Sequence, residues 1–124
     1  MSYVHYNPNP CQHSTSDCVI RAIAKALDTT WESAYVNLAA EGLEQCDLPN
    51  ANHVFGKYLT DLGFRRRAIP NTCPNCYTLR EFCYDHPFGE YVVCTGDHVV
   101  TVIDGDYYDS WDSGSVIPSY FYER

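Results

Sequence analysis

Positive charge is scarce in this 124-residue chain: eight basic residues face sixteen acidic ones, a formal net charge of −8. That balance excludes a sequence-independent grip on nucleic acid, which is built from Lys and Arg, and no nucleic-acid partner is expected. Long apolar runs are absent as well. No window approaches the roughly 18 apolar residues that a membrane span needs, and the opening stretch MSYVHYNPNPCQ has neither a basic n-region nor an apolar h-region. The expectation is a protein with no membrane partner, not exported by a signal peptide, and cytoplasmic. Internal repeats, low-complexity tracts and linkers are missing too, so residues 1–124 read as a single domain.

What is present is apolar material: 45% hydrophobic and 15% aromatic residues, enough for one core. The seven cysteines are odd in number. In a reducing compartment such thiols are catalytic, metal-bound or simply buried. The one basic run, Arg65-Arg66-Arg67, lies between Phe64 and Ala68-Ile69 and reads as a solvated strand or turn with snorkelling side chains. The eleven tyrosines read as residues that pack a sheet face and expose their hydroxyls.

The first half of the chain has helical periodicity. Val19, Ile23, Ala26 and Leu27 recur on one face of a helix beginning near Cys18 and ending at Asp28-Thr29. Thr29 with Glu32 has the form of a capping box for a second helix, whose stripe of Trp31, Ala34, Tyr35, Leu38 and Ala39 is closed by Gly42. A third helix spans about Ala51 to Leu62, with Gly63 as its stop. Beyond Phe64 the pattern changes. Phe64 to Ile69 reads as a strand, Thr78 to Asp85 as a short helix capped by Thr78, and Glu90 to Cys94 as a strand. Val99 to Ile103, the turn Asp104-Gly105 and Asp106 to Asp112 make a hairpin. Helices followed by an antiparallel sheet define an α+β domain.

Cys18 stands where a polar loop meets the first helix. A side chain in the first helical turn faces unpaired backbone N–H groups and the positive end of the macrodipole, and both favour a thiolate. Two readings of Cys18 stand: a nucleophile, or a small buried hydrophobe behind an Asp17 cap. An ionised Asp17 raises the thiol pKa unless its carboxylate turns away to cap the helix. A nucleophile needs a base, and of the five histidines His98, at the start of a hairpin strand, has a natural third partner. With a two-residue turn at Asp104-Gly105, His98 pairs across with Trp111, Val100 with Asp109 and Val102 with Tyr107. Asp109 is then the diagonal neighbour of His98 on the same face. A three-residue turn would exchange Asp109 for Asp112, which stands in reserve. Cysteine, histidine and carboxylate together follow the nucleophile, base and orienter logic of a triad.

These residues resemble the papain-like cysteine peptidases. There the nucleophile starts the long helix of a helical N-terminal half, a glutamine six positions earlier serves the oxyanion hole, a histidine begins a strand, and an Asn-Ser-Trp segment lies on the next strand. Gln12 stands six before Cys18, and Asp109-Ser110-Trp111 is similar to Asn-Ser-Trp, with aspartate accepting from the imidazole Nδ1–H. Flanking residues differ: Ser16-Asp17-Cys18-Val19 replaces Gly-Ser-Cys-Trp. In size the chain resembles the minimal papain-like proteins of bacteria and their viruses, whose Asp-Cys-Val-x-Arg-Ala-Ile and His-x-x-x-x-Val-Ile-Asp-Gly patterns fit Asp17 to Ile23 and His98 to Gly105. The resemblance implies a papain-like fold, N-terminal helices packed on a small antiparallel sheet. It further implies an amide hydrolase acting on a peptide or isopeptide through an acyl-enzyme. The implied roles are Cys18 as nucleophile, His98 as base, Asp109 as orienter and Gln12 as oxyanion donor, with no cofactor.

A rival site is Cys73-Pro-Asn-Cys76 followed by Cys83 and His86, a ligand set of zinc-knuckle type. The helical reading of 78–85 instead puts Cys83 beside Leu79 and Phe82 in the core, leaving a turn with two reduced cysteines. The competing function is a catalytically silent papain-like binding or inhibitor module that occupies a protein partner, with a structural zinc at that turn. Substrate, specificity, the choice among hydrolysis, transfer and deamidation, and oligomeric state are not fixed by these residues.

Overall fold

The computed structural model describes residues 2–124. In chain order the elements are β1 (Tyr3–His5), α1 (Cys18–Ala26), α2 (Trp31–Gln45), α3 (Asn52–Asp61), β2 (Arg65–Ala68), α4 (Leu79–Asp85), β3 (Glu90–Cys94), β4 (Val99–Ile103), β5 (Asp106–Asp109) and β6 (Tyr120–Glu123). The domain is α+β. The strands form one sheet in the order β1-β5-β4-β3-β6-β2. Every neighbouring pair is antiparallel except β1 with β5, which is parallel, so the sheet is mixed rather than wholly antiparallel. Strands β1 and β6 carry no sequence signal of the hairpin kind. The first is three residues long, and the second returns to the sheet interior only through pairing with β2 and β3, both distant in sequence.

Side chains alternate across a strand, and the sheet uses both faces. Val92, Cys94, Val99, Tyr120 and Tyr122 face α1, α2 and α3 and meet Ile23, Leu38, Phe55 and Leu59. The intervening Val93, Val100, Val102 and Tyr107 face α4 and meet Leu79, Phe82 and Cys83. Ile23, Leu38 and Leu59 are fully buried, and each such side chain contributes roughly 1.5–3 kcal/mol on leaving water.

Two glycines mark close approaches rather than helix ends. Gly42 does not close α2, which continues to Gln45. A Cβ there would lie 2.6 Å from the Asp47 carbonyl, where the chain folds back after Cys46. At Gly56 a Cβ would lie 2.5 Å from the Tyr122 hydroxyl, so glycine lets α3 settle against β6. The cap of α2 is Thr30, not Thr29, and accepts from the Ser33 N–H at 3.1 Å. Helix α4 has a complete capping box between Thr78 and Glu81. Strand β2, with its three arginines exposed, is an edge strand. Arg67 pairs with Glu123 at 2.8 Å and Arg66 lies over the Tyr120 ring. Among the described residues no helix is long and apolar enough to cross a membrane.

Two turns bring the β4–β5 hairpin into place beside the start of α1. Asp104 and Gly105 both have positive φ, 50° and 80°, the geometry of a two-residue hairpin turn, and Val102 pairs with Tyr107. Between β3 and β4, the His98 N–H donates to Thr95 Oγ1 at 3.0 Å and the Thr95 N–H donates to the His98 carbonyl at 2.9 Å. This pins His98 at the mouth of β4.

Candidate functional site

Cys18 is the first residue of α1, half-buried. His98 and Asp109 arrive from the hairpin beside it. His98 Nε2 lies 2.7 Å from Asp109 Oδ2. The carboxylate is therefore served by Nε2, not by the Nδ1–H expected from the sequence. Nδ1 is the ring nitrogen left for the thiol. Asp109 is 1% exposed and fully engaged: Oδ2 also accepts from Ser113 Oγ at 2.6 Å, and Oδ1 accepts from the Ser110 N–H at 2.8 Å and from Arg21 Nη2 at 3.0 Å. Trp111 lies outside the β-ladder but tilts against the His98 ring, centroids 5.0 Å apart.

Arg21 extends the contact chain inward. Its other terminal nitrogen, Nη1, binds Asp17 Oδ1, and Asp17 Oδ2 accepts from Trp31 Nε1 at 2.8 Å. Asp17 and Arg21 are 4% and 5% exposed. The Asp17 carboxylate thus turns away from Cys18, but it makes no cap bond to α1. Its partner is the guanidinium one turn along. The result is a row of alternating groups, Asp17, Arg21, Asp109, His98 and Cys18.

The electrostatics of the site come from this row. Burial alone would raise the Cys18 thiol, but hydrogen bonding with His98 and the Val99 backbone, helped by the charges of His98 and Arg21, brings it below the ordinary thiol value. Burial likewise works against the His98 imidazolium, and the hydrogen bonds to Asp109 and Cys18 outweigh it, raising the ring to about 9. Burial would raise Asp109 too; His98, Ser113 and the Ser110 N–H hold it below the usual carboxylate range. The lowered thiol and the raised imidazole both shift the pair toward thiolate beside imidazolium.

Comparison with protein-family models, curated proteins and solved structures finds no match.

The other candidate residues lie elsewhere. Gln12 sits in the loop before α1 with φ 57°, and its amide donates to the Asn9 carbonyl at 3.0 Å and the Asn7 carbonyl at 3.3 Å. Asp112, the reserve orienter, accepts from the Tyr107 hydroxyl and the Gly114 N–H and lies 3.6 Å from Arg80. Cys73, Cys76, Cys83 and His86 do not converge, and among the described residues no group of three or more His, Cys, Asp or Glu side chains is arranged to hold a metal ion. Cys83 is buried on the inner side of α4, while Cys73 and Cys76 are exposed on a turn. His86 stacks on Phe82, centroids 3.8 Å apart, and its Nδ1 bonds the Phe82 carbonyl at 2.8 Å.

The sequence alone assigns no role to Arg21, Ser113 or Trp31. Arg21 has a signal: it comes four residues after Asp17, the spacing of a helical ion pair, although it lies on the opposite side of the helix from the Val19, Ile23, Ala26 and Leu27 stripe and its burial is seen only in the structure. Ser113 and Trp31 have none, because their value lies in contacts across the fold. Two clefts flank the row. One of about 430 Å³ lies beside Asp17 and Ile20, walled by the stacked rings of Trp31 and Tyr35. The other, about 490 Å³, is lined by Thr95, Asp97, His98 and Trp111.

Proposed function

We propose that this chain is a small papain-like cysteine hydrolase that cleaves an amide bond of a peptide or isopeptide. The observation that carries the reading is the Asp109–His98 hydrogen bond at 2.7 Å beside a helix-initial thiol that is acidified by that same histidine. Helix-borne cysteine, then strand-start histidine, then an orienting residue on the following strand is also the order of the papain-like enzymes.

In this reading the Cys18 thiolate attacks the carbonyl carbon and the C–N bond breaks as the His98 imidazolium delivers its proton to the leaving amine. Water then adds to the thioester as His98 takes its proton, and the C–S bond breaks to restore the thiolate. The oxyanion is received by the Cys18 N–H, which as a first-turn donor has no intrahelical acceptor. Gln12, the second donor that the papain-like resemblance implies, is bonded to the Asn9 and Asn7 carbonyls and has to release one of them to reach the oxyanion. Asp109 orients His98 and holds the imidazolium. The pH profile is bell-shaped, with an acid limb below the ordinary thiol value and an alkaline limb near 9, where His98 loses the proton it must donate.

Iodoacetamide labelling at neutral pH, read by mass spectrometry, tests the nucleophile. Cys18 is expected to react faster than exposed Cys11 and Cys46, and Cys18→Ala to abolish both that labelling and hydrolysis of a peptide library. Equal rates at Cys18 and Cys46 would reject the reading.

A further inference from the structure

The row does not end at the orienting carboxylate. A buried arginine bonded to two buried carboxylates is a costly arrangement to keep, and each of its partners bears on Cys18. Asp17 is the residue next to the nucleophile, and an ionised carboxylate there opposes a thiolate. Asp109 is the residue that fixes His98. We propose that Arg21 is a positioning residue for Cys18 and His98: Nη1 turns the Asp17 carboxylate away from the thiol and cancels its charge, while Nη2 clamps Asp109 Oδ1 so that Oδ2 faces the imidazole.

The geometry makes the two tasks inseparable. Asp17 is the residue just before α1 and Arg21 lies one turn into it, Asp109 reaches the helix from β5, and Trp31 from α2 fixes the far oxygen of Asp17. Arg21 touches no position a substrate would reach, since it is 5% exposed. Its influence runs through its partners. Other titratable groups around the pair are few. Tyr3 of β1 donates to the Asp109 carbonyl and contacts His5, and Cys94 of β3 interacts with Cys18 while its own thiol is pushed up to about 12 by burial. Neither carries charge at neutral pH, so Asp17, Arg21, Asp109 and His98 set the local field.

The inference rests on Cys18 being the nucleophile of the proposed hydrolase, and its test can fail on its own. The measurement is the pH dependence of Cys18 alkylation by iodoacetamide in the full chain, with folding monitored by circular dichroism. Replacing the guanidinium by a neutral amide, Arg21→Gln, leaves the Asp17 charge uncompensated, and the acid limb moves up by about one unit, a roughly tenfold loss of rate below the limb with little change above it. Asp17→Asn, the milder change and one that leaves Arg21 charged, moves the limb the other way. A purely structural arginine would lower the folded fraction at every pH and leave the limb in place. Limbs unmoved in Asp17→Asn, or in Arg21→Gln where it folds, overturn the inference. A wild-type Cys18 no faster than Cys46 overturns the hydrolase reading instead.

Discussion

Two places in the molecule hold a cysteine and a histidine, and they treat them in opposite ways. On the α4 face, Cys83 is packed with Leu79, Phe82 and Val93, and burial pushes its thiol up to about 11. His86 spends its Nδ1 on a backbone carbonyl and its ring on Phe82. At the start of α1, Cys18 has His98, His98 has Asp109, and Asp109 has Arg21, so the same two residue types become an acidified thiol and a basic imidazole. Burial is present at both places. What differs is whether a carboxylate backed by a cation is buried with them.

The comparison can be broken from either side. The largest effect is expected from Phe82→Ala, which removes the ring at the centre of the α4 face. It should destabilise by about 3–5 kcal/mol in urea unfolding, while the pH profile of Cys18 alkylation stays where it is. A shifted profile would show that the two places are coupled. Gln12→Ala should do the reverse. Peptide hydrolysis falls about 10²–10³-fold, as for loss of one oxyanion donor, while alkylation, which forms no oxyanion, and the unfolding midpoint barely change. The smallest effect belongs to Thr78→Ala, which deletes the capping box of α4 and should cost about 1 kcal/mol of stability with no kinetic consequence.

Much of this is legible in the chain itself. Local signals place the helices, because apolar spacing, Thr78 and the Asp104-Gly105 turn act over a few residues. The hairpin register is set by that turn, and it brings His98 and Asp109 within hydrogen-bond reach. Parts that depend on distant segments are not legible. The parallel pairing of Tyr3–His5 with β5 and the insertion of β6 between β3 and β2 have no local signature. Gly42 reads as a helix stop until Asp47 is seen against it, and Gly56 has no local reason until Tyr122 is. The inner half of the row is hidden for the same reason. Arg21 matters because Asp109, 88 residues later, meets it.

The most direct measurement is nitrogen NMR of the His98 imidazole in the wild-type protein across pH. A doubly protonated ring at neutral pH that titrates near 9 is the expected result. A neutral ring at that pH, titrating near the ordinary 6.5, would mean that Cys18 has no charged partner and that the row of groups behind it does not acidify the thiol.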